Sequence, residues 1–365
     1  MSSGTAVVVG TRPEAVKLAY VARALGDRAV VVHTGQHYDA TLWADVVGDL
    51  PMPPIAHHIA VGGRSRGEQI GRATELLTRL LIEHPVRAVV VQGDTNSTLA
   101  GALAANATGT PLVHVEAGLR SDDRSMPEES NRLLVDRISD LCCVPIAANA
   151  ARLEREGVAA DRIEVTGNTL ADALSDLVPR TGEADTLLGG LGLERGGFAL
   201  ATVHRASNVD DRRTLAALAD GLAALARRVT VVLPLHPHTR ARLAEFDLTD
   251  RLAGVRTVDP VGPRQFLALE AAAGLLVSDS GGVQEEACLL RRPLVVLRNS
   301  TERPELLDGW CRLLGDADPV GVLEQAWADV PSWTADLAVR PLPYGTDSAS
   351  ARIVAEIDRR WPVPR

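Results

Sequence analysis

The sequence predicts an α/β protein built from two doubly wound, Rossmann-like halves. Three observations carry that reading. Short apolar runs end in polar or glycine-containing turns, and a stretch with helically spaced apolar residues follows most of them. The alternation breaks once, over residues 178–197 (VPRTGEADTLLGGLGLERGG), where glycine and charge rise and periodicity fades, and then resumes. The length, 365 residues at 46% hydrophobic, suffices for two separate cores. The expected division is an N-terminal domain over 1–177, a linker over 178–197 with room for one helix, and a C-terminal domain over 198–347, followed by a last helix near 348–360.

The first half opens with AVVVG (residues 6–10), a buried strand. TRPEAVKLAYVARAL then reads as a helix with Pro13 in its first turn. A phosphate at that helix start would meet backbone amides, Arg12 and Lys17. The turn is not a Walker loop, because Leu18 follows the lysine, and no GxGxxG follows the strand. AVVVHTGQHYD (residues 29–39) is a second strand and its loop, where Gln36 and His37 either contact a ligand or brace the loop. A glycine- and arginine-rich turn and an amphipathic helix occupy residues 60–84.

The chain is organised around residues 93–132, GDTNSTLAGALAANATGTPLVHVEAGLRSDDRSMPEESNR. Two apolar runs, AVVV and PLVHV, end near Asp94 and Glu116, and a polar loop delivers Glu128 and Glu129 to the next helical pattern. In an open parallel sheet, ligands bind beyond the strand C-termini. Carboxylates gathered there are candidate acids and bases. Each one alone also looks like an ordinary helix-capping carboxylate. Their convergence on one sheet edge carries the case. DLCCVPIAANAARLEREG and DRIEVTGNTLADAL each add a strand and a helix.

The second half repeats the pattern. FALATVHR ends a strand at His204, VTVVLPLHPH ends one at His236, and GVRTVDPVGPRQFLALE gives a strand and a helix bearing Phe266. GLLVSDSGGVQEEACLL is a strand, a turn of Ser280, Gly281 and Gly282, and a helix with Glu285 and Glu286 just over a turn inside. Small residues there let amides approach a diphosphate, and a carboxylate accepts two bonds from a ribose diol. Arg303 either joins that site or pairs with Glu302 or Glu305. The residues His236 and His238 lack a third partner for a metal site.

Composition excludes several classes. A net charge of −9 argues against a general nucleic-acid binder and offers no basic face to a membrane. The residues 1–10 run straight into a strand, and no stretch is long enough to span a bilayer, so a cytoplasmic protein is expected. Cys142, Cys143, Cys288 and Cys311 lack metal-ligand spacing and read as buried thiols. Lys17 is the only lysine among 38 basic residues, which suggests a role needing a compact ammonium.

GTRPE, TGQH, GDTNST, HVEAGLRS, MPEESNR, GNT, TVHR, HP, DSGGVQEE and TERPE occur in this order over nearly the whole chain. Together they resemble the non-hydrolysing UDP-N-acetylglucosamine 2-epimerases. The resemblance implies a GT-B type α/β fold, with two Rossmann-like domains, an inter-domain cleft and a C-terminal helix (348–365) returning to the first domain. It implies reversible epimerisation of UDP-GlcNAc and UDP-ManNAc at C2, through elimination of UDP to 2-acetamidoglucal and re-addition, with neither metal nor other cofactor. By motif match Asp94, Glu116, Glu128, Arg132 and His204 are the catalytic set. Arg12, Lys17, Phe266, Ser280, Gly281, Gly282, Glu286 and Arg303 form the UDP site. The family also implies a homodimer and a place in cell-envelope polysaccharide synthesis.

Some bacterial members bind a second UDP-GlcNAc as an activator, and Gln36, Arg205 and His236 match that site. Three departures predict weak or absent activation here. Ser207 replaces a glutamate of the family's HRREN or HRAEN, Tyr38-Asp39 follows TGQH, and the loop from Glu116 to Glu128 is short. The competing readings are a hydrolysing epimerase releasing ManNAc, a GT-B glycosyltransferase, an epimerase of a modified hexosamine in antibiotic or polysaccharide synthesis, and an idle nucleotide-sugar sensor.

Overall fold

Valine-rich runs with no polar face belong in the middle of a sheet covered on both sides. The structure, a computed structural model, describes residues 4–36, 50–124, 126–178, 181–345 and 347–363. His37, singled out above, lies outside the described residues. The chain divides into two units, Met1–Ser175 with Pro343–Arg365, and Asp176–Leu342. The fold class is the expected one, two parallel sheets flanked by helices.

The first unit holds β1 (Thr5–Val9), β2 (Ala29–His33), β3 (Ile55–His58), β4 (Ala88–Gln92), β5 (Leu112–Val115), β6 (Leu141–Val144) and β7 (Ile163–Val165). Their order across the sheet is β3-β2-β1-β4-β5-β6-β7, with every pair parallel. The strand order reverses between β1 and β4. That switch point lets the GTRPE and GDTNST turns lie side by side. β3 is an edge strand whose alternating half-buried and exposed residues give no apolar run to read.

Helices among the described residues of this unit include α1 (Arg12–Leu25), α2 (Arg66–Glu83), α3 (Asn96–Thr108), α4 (Pro127–Ile138), α5 (Ala147–Arg155) and α6 (Thr169–Leu177). α1 starts with a Thr11–Glu14 capping box, and α3 is capped by Thr95, whose hydroxyl accepts the Thr98 amide. One sheet face packs on α2 and α3 through Val8, Val91, Leu77 and Leu99. The other packs Val7, Val9 and Val113 on Leu18 and Val21 of α1 and on Ile353, Val354 and Ile357.

The second unit contains β8 (Phe198–Thr202), β9 (Thr230–Pro234), β10 (Arg256–Val258), β11 (Leu275–Ser278), β12 (Leu294–Val296) and β13 (Cys311–Leu313). The order is β10-β9-β8-β11-β12-β13, again all parallel, with its reversal between β8 and β11. Its helices are α7 (Thr181–Gly190), α8 (Ala206–Val209), α9 (Arg212–Ala226), α10 (Pro237–Glu245), α11 (Pro263–Ala272), α12 (Gly281–Leu289) and α13 (Pro319–Val339). The expected linker is in part a packed element. α7 lies in this unit, packs on α11 and buries Ala184 and Leu188. Its glycines blurred the helical period. α13 carries Pro331 inside it, which hides it from the same reading. α14 (Ala349–Arg360) belongs to the first unit.

All four cysteines are buried and reduced, and burial pushes the Cys142 thiol up to about 12. Among the described residues no helix is long and apolar enough to cross a membrane.

Candidate active site

Glu116 sits one residue past β5 with φ 68°, the left-handed region that a non-glycine residue adopts at a cost of ~1–3 kcal/mol. Its carboxylate is held on two sides. Lys17 Nζ, one turn into α1, reaches Oε2 at 2.7 Å, with both side chains about nine-tenths buried. Gln92, closing β4, donates its amide to the same oxygen. Lys17 was expected to meet a phosphate; the structure places its ammonium on a carboxylate at the sheet edge. Arg12, at the exposed start of α1, does not share that burial.

Asp94 follows β4 and forms an ion pair with Arg132 of α4. Arg132 also contacts Glu129 at 2.8 Å. Asn131, its neighbour, donates to the Asp94 carbonyl at 2.8 Å. α4 therefore presents one face to the Asp94 turn. Phase decides which of two adjacent glutamates shares it. Glu129 is buried and accepts the Ser121 amide and hydroxyl at 3.0 and 2.9 Å, whereas Glu128 is solvent-exposed in the first turn. Gln36 accepts the Ser97 amide at 2.9 Å, so it covers the start of α3.

Beneath this edge His114 spans Asp136 (2.6 Å from Nδ1) and the Gly93 carbonyl (2.8 Å from Nε2). Asp136 also meets Arg120 at 2.7 Å and the Gly118 amide at 3.2 Å. Burial alone would push the Asp136 carboxyl up, but His114 and Arg120 hold it below its ordinary value. The network braces the turns on both sides of β5.

Glu14 was not singled out from sequence. Its buried carboxylate accepts the Gly10 and Thr11 amides at 2.9 and 2.7 Å through Oε2, and the Thr95 hydroxyl at 2.6 Å through Oε1. Burial pushes its pKa up, against the pull of these bonds. The capping-box spacing in TRPE was its signal.

In the second unit, His204 follows β8 and is half-exposed. Its Nδ1 lies 2.9 Å from Asp279, which is wholly buried after β11. Asp279 also accepts the His204 and Arg205 amides at 3.0 and 2.9 Å and the Asn208 side-chain amide at 3.0 Å. Burial raises its pKa, but His204 and these amides bring it below the ordinary value. Asp279 fixes which imidazole nitrogen faces outward, a task legible only once β8 and β11 are known to be neighbours.

Ser280 precedes α12, whose first residues are Gly281 and Gly282. A side-chain carbon at Gly281 would lie 3.3 Å from Arg303 Nη1 and 3.8 Å from Arg205 Nη2. Two guanidinium groups thus flank a helix N-terminus, the arrangement that suits a phosphate. Glu285 pairs with Arg303 at 3.0 Å, and Glu302 pairs with Arg298 at 2.8 Å and stands 3.8 Å from Arg205. Burial opposes ionisation of Glu302, yet Arg298 and Arg303 hold its pKa at about 2. Glu286 and Phe266 are half-buried on α12 and α11. The His236 ring lies 5.9 Å from that of His204, and burial lowers its pKa. His238 pairs instead with Asp210.

A family model described as UDP-N-acetylglucosamine 2-epimerase matches residues 22–358. The chain is 38% identical over 322 residues to the UDP-N-acetylglucosamine 2-epimerase of Methanocaldococcus jannaschii, covering 85% of this chain and 88% of that protein. It is 34% identical over 351 residues to the UDP-2,3-diacetamido-2,3-dideoxy-D-glucuronate 2-epimerase of Pseudomonas aeruginosa, covering 95% and 97%. Among solved structures it resembles the M. jannaschii UDP-GlcNAc 2-epimerase in complex with UDP-GlcNAc and UDP (TM-score 0.82, 34% identity, 98% and 99% coverage). It also resembles the Neisseria meningitidis UDP-GlcNAc 2-epimerase bound to UDP-GlcNAc (TM-score 0.88, 29% identity, 98% and 100% coverage).

Proposed function

The chain belongs to the UDP-N-acetylglucosamine 2-epimerase family, and from that premise we propose that it interconverts UDP-GlcNAc and UDP-ManNAc without hydrolysis. The observation that carries the proposal is the paired set of carboxylates at one sheet edge, Asp94 held by Arg132 and Glu116 by Lys17 and Gln92. A carboxylate removes the proton at C2 while the C1–O bond to UDP breaks. The products of that step are 2-acetamidoglucal and UDP. A proton returned to the opposite face of C2, with UDP re-adding at C1, gives the epimer. The C2 proton is weakly acidic, so stabilising the leaving diphosphate must supply much of the rate. Arg303, Arg205 and the Gly281–Gly282 helix start are the groups of the right kind for that task. His204, oriented by Asp279, assists beside the diphosphate. Asp94, Glu116 and Glu128 are the proposed acid/base groups, acting in a homodimer.

Proton NMR of UDP-GlcNAc with the protein in heavy water tests this. UDP-ManNAc carrying deuterium at C2 is expected. Free ManNAc plus UDP would mean the hydrolysing reaction. The likeness to the P. aeruginosa 2-epimerase over 95% of this chain favours a second reading, a hexosamine bearing a second acetamido group and a carboxylate. That substrate turning over while UDP-GlcNAc stays unexchanged would replace the first reading with the second.

A further inference from the structure

The turn after the first strand of a doubly wound sheet usually presents its amides to a phosphate. In this chain those amides are already engaged. Glu14, at the third position of α1, folds back so that Oε2 accepts the Gly10 and Thr11 N–H groups, and Pro13 has no N–H to offer. The other oxygen takes the Thr95 hydroxyl and lies 3.0 Å from that of Thr98, at the start of α3. Two helix N-termini therefore meet on one carboxylate that is 1% exposed. The start of α3 is closed as well, because its Ser97 amide goes to Gln36 and its Thr98 amide to Thr95. In the second unit Asp279 takes the amides of the turn after β8 in the same way. The start of α12 differs. Gly281 and Gly282 bring no side chain, and Arg205 and Arg303 stand beside them.

We propose that Glu14 is a built-in anion that fills the phosphate turn of the first unit, so that this turn takes no phosphate of a nucleotide. Glu14 is thus a specificity-determining residue that denies a nucleotide phosphate the turn after β1. This consequence rests on the proposed nucleotide-sugar reading. The occupancy itself does not.

The test is a titration with inorganic phosphate, followed through backbone amide resonances of the whole chain. In the wild type, the Gly281 and Gly282 resonances should shift and those of Gly10 and Thr11 should not. In Glu14→Ala, the Gly10 and Thr11 amides should shift saturably, with phosphate held there at least about tenfold more tightly than by the wild type. Phosphate should then inhibit the variant more strongly than the wild type. Glu14→Ser is the alternative if the alanine variant does not fold. A phosphate response at Gly10 and Thr11 in the wild type would overturn the proposal, whether or not any variant folds. So would a folded variant whose Gly10 and Thr11 amides ignore phosphate. Silence at Gly281 and Gly282 alone would count against the diphosphate site of the proposed function, not against the plug.

Discussion

At the scale of single residues, the site turns on which carboxylates face inward and what holds them. Lys17 is the only lysine in the chain and it lies on Glu116, where its long stem reaches across from α1 and its point charge fits a single oxygen. Glu128 and Glu129 form the sharpest comparison, since they are adjacent and differ only in helix phase. If exposed Glu128 serves the chemistry, Glu128→Gln should lower kcat by roughly 10²- to 10⁴-fold, the usual worth of a positioned acid or base, with the melting temperature unchanged. Glu129→Gln should behave in the opposite manner. It weakens the hold on Arg132 and on the Ser121 loop, so it should lower thermal stability and cut activity less steeply. Paired melting curves and initial rates separate the two. A Glu129 variant that keeps its melting temperature but loses all activity would reverse the assignment.

At the scale of elements, turns beyond the sheet C-termini carry the charged groups, and Asp94, Glu116, Asp279 and Glu302 there are each tied to a partner within the protein. The loop after β12 shows the energetic side. Glu302 is buried against Arg298 and Arg303, and its pKa is about 2 against the ordinary 4.5. The unfolded chain therefore takes up this proton first as pH falls. The stabilisation is complete above about 4.5 and drains away toward about 2, a difference of roughly 3 kcal/mol. Glu302→Gln should be destabilised near neutral pH, and its unfolding free energy should fall less than that of the wild type between those two pH values. Urea unfolding over that range measures both. Parallel pH profiles for variant and wild type would mean that the pair contributes nothing to acid sensitivity.

At the scale of the whole molecule, the chain leaves the first unit near residue 175 and returns to it at 343. α14 completes the first core with Ile353, Val354 and Ile357 against Leu18, Val21 and Leu25. Asp358 ties it to Arg28 at 2.5 Å and Arg87 at 2.7 Å, and the Ser350 amide donates to Asp172 at 2.8 Å. Burying three such aliphatic side chains contributes roughly 5–9 kcal/mol, which is comparable to the whole stability of a domain. A chain ending at residue 347 should lose the cooperative unfolding of the first unit and become insoluble or highly protease-sensitive. A soluble truncation with an unchanged melting temperature would show that α14 is dispensable.

The sequence by itself determined the alternation of apolar runs and helical stretches, the two-unit α/β class, and the turns where Asp94, Glu116, His204 and Gly281 fall, because buried parallel strands and helix caps write periodicities and capping residues into the chain. It also held the ordered motifs that identify the family. Elements without such marks were illegible, the edge strand β3 and α13 with its internal proline, and the glycine-blurred α7 was read only as a linker with room for one helix. Only the tertiary structure decided the pairings. Lys17 and Glu116 stand 99 residues apart, and His204 and Asp279 meet only because β8 and β11 are neighbours in the sheet. Glu14 fills a turn where a phosphate was expected, since the same amides welcome any anion and the nearest one belongs to the chain itself.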